Sequence, residues 1–134
     1  MDEPRNNGTT TRADERARTG RQAEERARRT LEAHGLRLLE RNYRVARGRS
    51  RRGGEIDLIL RDRDGTLVFV EVRARRDASR GGAAASIGFA KQARIVYAAR
   101  HYLARLDHLP PCRFDVVAID GDHIEWLRAA FSAT

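Results

Sequence analysis

Residues 54 to 73, GEIDLILRDRDGTLVFVEVR, alternate so strictly that they admit little other than a β-hairpin. Ile56, Leu58 and Leu60 share one face of the first strand, and Val68, Val70 and Val72 share one face of the second. For both apolar sets to face one core, directly opposed residues must have numbers that sum to an even value. The turn selects that value. Asp62-Arg63-Asp64-Gly65-Thr66 suits a three-residue loop with Gly65 left-handed and a bulge, closed by Asp62 opposite Thr66. The pairs then sum to 128. Ile56 meets Val72, Leu58 meets Val70, Leu60 meets Val68 and Ile59 meets Phe69, while Asp57 lies opposite Glu71 and Glu55 opposite Arg73.

Directly opposed Cβ atoms stand about 5 Å apart, and like charges there cost up to about 1 kcal/mol. Ile59 and Phe69 flank the Asp57–Glu71 pair and withdraw it partly from water, which raises the cost. A divalent cation reverses the sign. Mg²⁺ takes one or two carboxylates and completes its shell with water and phosphate oxygens, so the pattern points to phosphodiester hydrolysis rather than to a structural cage. Strand faces balanced by nearby arginines are also common, and the bland reading of the pair is one of those.

A chain of 134 residues holds one domain with a single ordinary core. Its net charge of +8 favours a polyanionic partner, nucleic acid before membrane. Arginine supplies nearly all of the basic residues, which codon bias alone can produce, so their placement carries the argument. Arg44, Arg47, Arg49, Arg51 and Arg52 cluster just before Glu55, and Arg73, Arg75, Arg76 and Arg80 follow Glu71. The positive charge brackets the carboxylates, as a footprint for backbone phosphates requires. Cys112 is the lone cysteine; it excludes an internal disulfide and reads as a small core residue. With no apolar run of membrane-spanning length and no apolar leader, the reading is a cytoplasmic protein without a membrane partner. His34, His101, His108 and His123 lack ligand spacing.

Residues 1–17 are polar and read as a disordered tail, leaving 18–131 as the single domain. A first helix is expected from a capping box of Thr19 and Gln22, with Ala23, Ala27 and Leu31 as its stripe and Gly35 at its end. A strand over 36–46, a loop over 47–54, the hairpin and a small-residue loop over 74–85 follow. A second helix over 87–106 has an apolar face of Phe89, Ala93, Val96, Ala99, Leu103 and Leu106 opposite a basic face of Lys91, Arg94, His101 and Arg105. Pro110 and Pro111 stop it, and strands over 114–119 and 123–128 complete the chain. The order αβββαββ implies an α/β protein of the α+β type. In it a mixed sheet is flanked by helices, and the second helix crosses over to a strand beside the hairpin.

Asp57 followed across a hairpin by Glu71-Val72-Arg73 resembles the PD-(D/E)xK signature of restriction-endonuclease-like nucleases, with Arg73 in the lysine position. The succession GRQAEERA, RNYR, GEIDLIL, LVFVEVRARR, AKQARI and CRFDVVAID is similar to the YraN family over roughly residues 20–131. The resemblance implies a restriction-endonuclease-like core like that of Holliday junction resolvases, and a DNA endonuclease dependent on Mg²⁺ or Mn²⁺. It implies that Asp57, Glu71 and the Val72 carbonyl hold the metal, with Glu24 a further acid acting through water. Arg73 would stabilise charge on the phosphate but could not readily serve as a base.

Lys91 is the only lysine. The resemblance makes it a phosphate contact or a substitute for the lysine missing at 73, against the plainer view of one cation on a solvated helix face. Arg44, Arg47, Arg49, Arg51, Arg52, Arg75, Arg76, Lys91 and Arg94 form the nucleic-acid-binding set. Glu55 is an ion-pair partner that orients Arg73, and Gln92 is a minor candidate. Tyr43 could stack on unpaired bases, Trp126 reads as core or rim, and Asp115 as either a structural or an accessory acid. Three readings stay open: a metal-dependent endonuclease, a non-catalytic nucleic-acid-binding module on the same fold, and a basic adaptor for another protein. A homodimer also stays open, since related nucleases often work as dimers on two-fold symmetric substrates.

Overall fold

In the computed structural model, which describes residues 11–46, 53–75 and 87–133 apart from the side chain of Arg75, the hairpin takes the register its turn dictates. Gly65 adopts φ 91°, the left-handed region a side chain would strain. Asp62 N–H donates to Thr66 O at 2.9 Å and Gly65 N–H to Asp62 O at 3.0 Å. The strands β2 (Gly54–Arg61) and β3 (Leu67–Arg75) pair Arg61 with Leu67, Leu60 with Val68, Ile59 with Phe69 and Leu58 with Val70. Every pair sums to 128.

Around the hairpin lie α1 (Arg12–Ala33), β1 (Arg37–Val45), α2 (Phe89–Leu103), β4 (Cys112–Asp120) and β5 (His123–Phe131), in the expected order αβββαββ. The sheet runs β1-β2-β3-β4-β5, with β3 and β4 parallel and the other neighbours antiparallel. The helix α2 is thus the crossover that the sequence implied. One layer of core joins Ala23, Ala27 and Leu31 of α1 to Leu58, Leu60, Val68 and Val70. The other joins Ile95, Ala98 and Ala99 of α2 to Ile56, Ile59, Leu67 and Phe69.

Three sequence expectations are corrected. The first helix starts at Arg12, not after Thr19, so residues 12–17 are helical. Its cap is Thr11, whose Oγ1 accepts Asp14 N–H at 3.0 Å while Asp14 reaches back to Thr11 N–H. These first turns bury nothing, so hydrophobic periodicity could not register them. The helix closes at Ala33, and Gly35 just beyond it takes φ 95°, with Leu36 N–H donating to Leu31 O at 3.2 Å. Cys112 opens β4 as an exposed residue rather than a core one, its thiol donating to Pro110 O at 3.2 Å.

The face of α2 is the third correction. Its buried residues are Ile95, Ala98 and Ala99, while Ala93 is exposed and Phe89 is 89% exposed. Close approach selects that face. A Cβ placed on Gly54 would lie 2.6 Å from Arg94 O and 2.8 Å from Ala98 N, so helix and strand meet where neither has a large side chain. Gly54→Ala should therefore force the two backbones apart and destabilise the protein by about 1–3 kcal/mol, measured by chemical denaturation. An unchanged midpoint would disprove this close contact.

Candidate active site between β2 and β3

The regular ladder of the hairpin ends at Leu58↔Val70, before it reaches Asp57. Instead of standing opposite Glu71 in the sheet, Asp57 turns its carboxylate into the gap between the strands. There its Oδ2 accepts the Val72 N–H at 2.8 Å. A side chain has replaced a ladder partner, and the strands part around it.

The alternation of β2 slips at the same residue. Leu58 packs toward α1, yet Ile56 joins the α2 layer with Ile59, contrary to the expectation that Ile56, Leu58 and Leu60 share one core. The neighbouring strand slips with it. Arg41, opposite Leu58, lines a cavity beneath α1, and Tyr43, opposite Ile56, packs beneath α2. Between them Asn42 has φ 50°, a left-handed conformation that asparagine tolerates better than most residues. Asn42 is the residue that sequence reading missed. Its side-chain amide hydrogen-bonds Glu24. The signal available was an asparagine within a strand, which alone does not announce a site.

Four acids gather here. Glu71 is 7% exposed and shares a hydrogen bond with Asp57. Burial first, and then the Asp57 carboxylate, push the Glu71 carboxyl up to about 8. Glu71 therefore holds a proton that it donates to Asp57, and the two titrate as a pair. Burial also raises Asp57, opposed by the Val72 N–H and the Glu71 hydrogen bond. On α1, Glu24 is raised by burial and by Asp57, and opposed by Asn42. Glu55 adds its charge to both Asp57 and Glu24. It lies opposite Arg44 of β1 and forms an ion pair with it at 3.5 Å, while the regular β2–β3 ladder ends before it reaches Arg73.

Lys91 reaches this site. It stands one turn before Ile95 on the buried stripe of α2, not on an opposite basic face, and its Nζ lies 3.5 Å from Glu71 Oε2. Gln92 beside it braces the helix entry, donating to Ile87 O at 2.7 Å. Arg73 is half-buried on β3, two residues past Glu71 and in register with Ala118. Arg44 and Arg94 meet across an open cleft of about 610 Å³ floored by Gly53 and Gly54. Arg75 closes β3. Arg47, Arg49, Arg51, Arg52, Arg76 and Arg80 lie outside the described residues, as does most of the 74–85 loop.

Tyr43 packs edge-on against Tyr102 at 5.4 Å, with Arg105 over both rings, and so serves the core rather than a bare stacking surface. Trp126 is half-buried and donates to Asp115.

Among the described residues no three His, Cys, Asp or Glu side chains converge on one metal position. The oxygen donors still suit a hard divalent ion. Two carboxylates are held together at a cost, one of them oriented by a backbone N–H, and Mg²⁺ needs no more than one or two protein carboxylates. Thiolate and imidazole ligands are absent from the pair, which argues against zinc.

Fold and site together define a small α+β protein whose five-stranded mixed sheet opens to hold a buried carboxylate pair facing a helix lysine. The chain belongs to the family described as "Uncharacterised protein family UPF0102", whose profile matches residues 23–119. This is the YraN family that the motifs resemble, and the matched span includes Glu24, Asp57, Glu71, Arg73 and Lys91. A UPF0102 protein of Methylibium petroleiphilum is 68% identical over 111 residues, covering 83% of this chain and 91% of that protein. One from Paracidovorax citrulli is 62% identical over 125 residues, covering 93% and 87%. One from Cupriavidus taiwanensis is 59% identical over 114 residues, covering 85% and 82%. No helix among the described residues is long and apolar enough to cross a membrane.

Proposed function

We propose that this chain is a divalent-metal-dependent DNA endonuclease with a restriction-endonuclease-like core, acting on phosphodiester bonds in the cytoplasm. The observation that carries the reading is the Asp57–Glu71 pair, buried in a gap between parted strands with the Lys91 ammonium 3.5 Å from Glu71. Such a pair works against the fold unless a cation or a reaction uses it.

Asp57 and Glu71, with the Val72 carbonyl, would hold Mg²⁺ or Mn²⁺, and Glu24 would act through water. The ion, when bound, supplies Lewis acidity and an activated water. The chain's own part is orientation and charge. Val72 N–H fixes one oxygen of Asp57. Asn42 holds Glu24 toward Asp57. Arg73 and Lys91 bring positive charge to a phosphate as negative charge builds on it. Arg44 and Arg94, across their cleft, would take flanking phosphates of the same strand.

The second reading, a non-catalytic nucleic-acid-binding module, is favoured by Arg73, because arginine binds phosphate as well as lysine does but cannot readily accept a proton. Cleavage of a panel of four-way junction, flap, duplex, single-stranded DNA and RNA with Mg²⁺ or Mn²⁺ separates the two. Wild type should cleave at least one DNA substrate. Asp57→Asn and Glu71→Gln should each lose activity by about 100-fold or more while still binding DNA. Binding without cleavage by wild type, under either metal, would establish the module instead.

A further inference from the structure

We propose that Lys91 is the resident counter-cation of the carboxylate pair, and that its ammonium must leave Glu71 when a divalent ion is bound there. The inference rests on the metal-dependent reading above and deepens it. It gives Lys91 two successive partners, Glu71 first and substrate phosphate afterwards.

Three observations carry it. The position is built into the core stripe of α2, since Lys91 precedes Ile95 by one turn and Ile95 is 1% exposed, so the side chain emerges beside Glu71 rather than into bulk solvent. The two partners are unequally free. The Glu71 side chain is 8% exposed, whereas that of Lys91 is 37% exposed, so Glu71 is fixed and the ammonium can swing outward. Lysine also suits the exchange chemically. It is a compact point charge on a flexible four-carbon stem, whereas a planar guanidinium would hold a carboxylate by two hydrogen bonds and release it less readily.

Both cations cannot share Glu71. The Lys91 Nζ is already 3.5 Å from Oε2, and a doubly charged ion on the same carboxylate would repel it across a few ångströms of poorly solvated space. Lys91 then moves toward solvent, where a phosphate oxygen is its natural partner. The same ammonium faces the acids in the free protein and the phosphate in the complex.

The test is Mn²⁺ titration of the DNA-free protein, read from the EPR signal of unbound Mn²⁺, for wild type, Lys91→Met and Lys91→Arg. With its competitor removed, Lys91→Met should bind Mn²⁺ about tenfold more tightly, while Lys91→Arg, which keeps the charge and holds Glu71 by two hydrogen bonds, should bind it no more tightly than wild type. A merely structural lysine would not produce that split. Thermal melts confirm the fold of each variant, and Lys91→Gln supplies the same neutral comparison if the methionine variant melts early. Equal or weaker Mn²⁺ binding by the folded neutral variants would overturn the exchange and leave the metal site standing. No Mn²⁺ binding by either wild type or the neutral variants would overturn the metal reading and the exchange with it.

Discussion

Glu71→Gln should raise the thermal unfolding midpoint of the metal-free protein at pH 8 by about 10 °C and remove most of its pH dependence between pH 5 and 8. The cause is the proton that Glu71 holds. Burial and the Asp57 carboxylate place the folded-state value at about 8, against the ordinary glutamate value of 4.5. Because the folded value is the raised one, the contribution to stability is complete below about 4.5. It declines as pH rises and is lost as pH passes through about 8. Across that window the unfolded chain gives up the proton readily and the folded chain does not, a difference on the order of 3 kcal/mol. Glutamine is neutral at every pH, so the variant should show a flat profile and its advantage should grow with alkalinity. Differential scanning calorimetry from pH 5 to 9 measures both slopes. A wild-type midpoint that holds steady or rises over this range would mean that the pair does not share a proton. The same proton also predicts an order of events. A divalent ion bound by Asp57 and Glu71 must displace it, so ion binding should strengthen with pH over the range in which stability falls.

The part of the fold that the sequence disclosed is the part governed by local rules. Gly65 and its flanking aspartates specify one turn, and the turn specifies the register of Leu58, Leu60, Val68 and Val70. Ala23, Ala27 and Leu31 mark the buried stripe of α1 because three small or apolar residues at helical spacing have no other face to share. The site was legible in its members and hidden in its arrangement. Alternation assumes a constant phase, and nothing in the letters around Asp57 announces that β1 and β2 both change phase at Asn42 and Asp57. That change depends on a left-handed backbone at Asn42 and on a carboxylate replacing a ladder partner, and both are tertiary facts. The face of α2 was misread for a related reason. Phe89 is the largest apolar residue of that helix and dominates any periodicity, but Gly54 on the facing strand admits only the Ala98 surface. Turning the helix to meet Gly54 carries Lys91 inward to Glu71.

Asp115→Ala should destabilise the protein strongly, by about 3–5 kcal/mol, and should leave the affinity of the carboxylate pair for Mn²⁺ untouched wherever the variant remains folded. Asp115 is 0% exposed on β4, and donors occupy both of its oxygens. Arg113 Nε donates to Oδ1 and Oδ2 at 3.1 Å, Trp126 Nε1 to Oδ2 at 2.9 Å, and Ala129 N–H to Oδ1 at 2.9 Å. Each of these bonds organises a different neighbour. Arg113 continues to Asp62 at 2.9 Å and so ties β4 to the hairpin turn. Trp126 is held across β5. Ala129 has φ 50° at the irregularity where β5 passes Phe114 and Val116, and its N–H would otherwise lack a ladder partner. Alanine removes the acceptor shared by three donors and leaves the part-buried Arg113 guanidinium with Asp62 as its carboxylate partner, which costs more than the loss of any one hydrogen bond. Asp115→Asn keeps one oxygen and turns an NH₂ toward donors, so its loss should be smaller but still above about 1 kcal/mol. This saturation also decides the role of the residue. An acid that assists a metal needs a free lone pair on the site side, and Asp115 gives its oxygens to Arg113, Trp126 and Ala129. Urea denaturation paired with Mn²⁺ titration of Asp115→Asn tests both halves. A stable variant with weakened Mn²⁺ binding would make Asp115 an accessory acid after all.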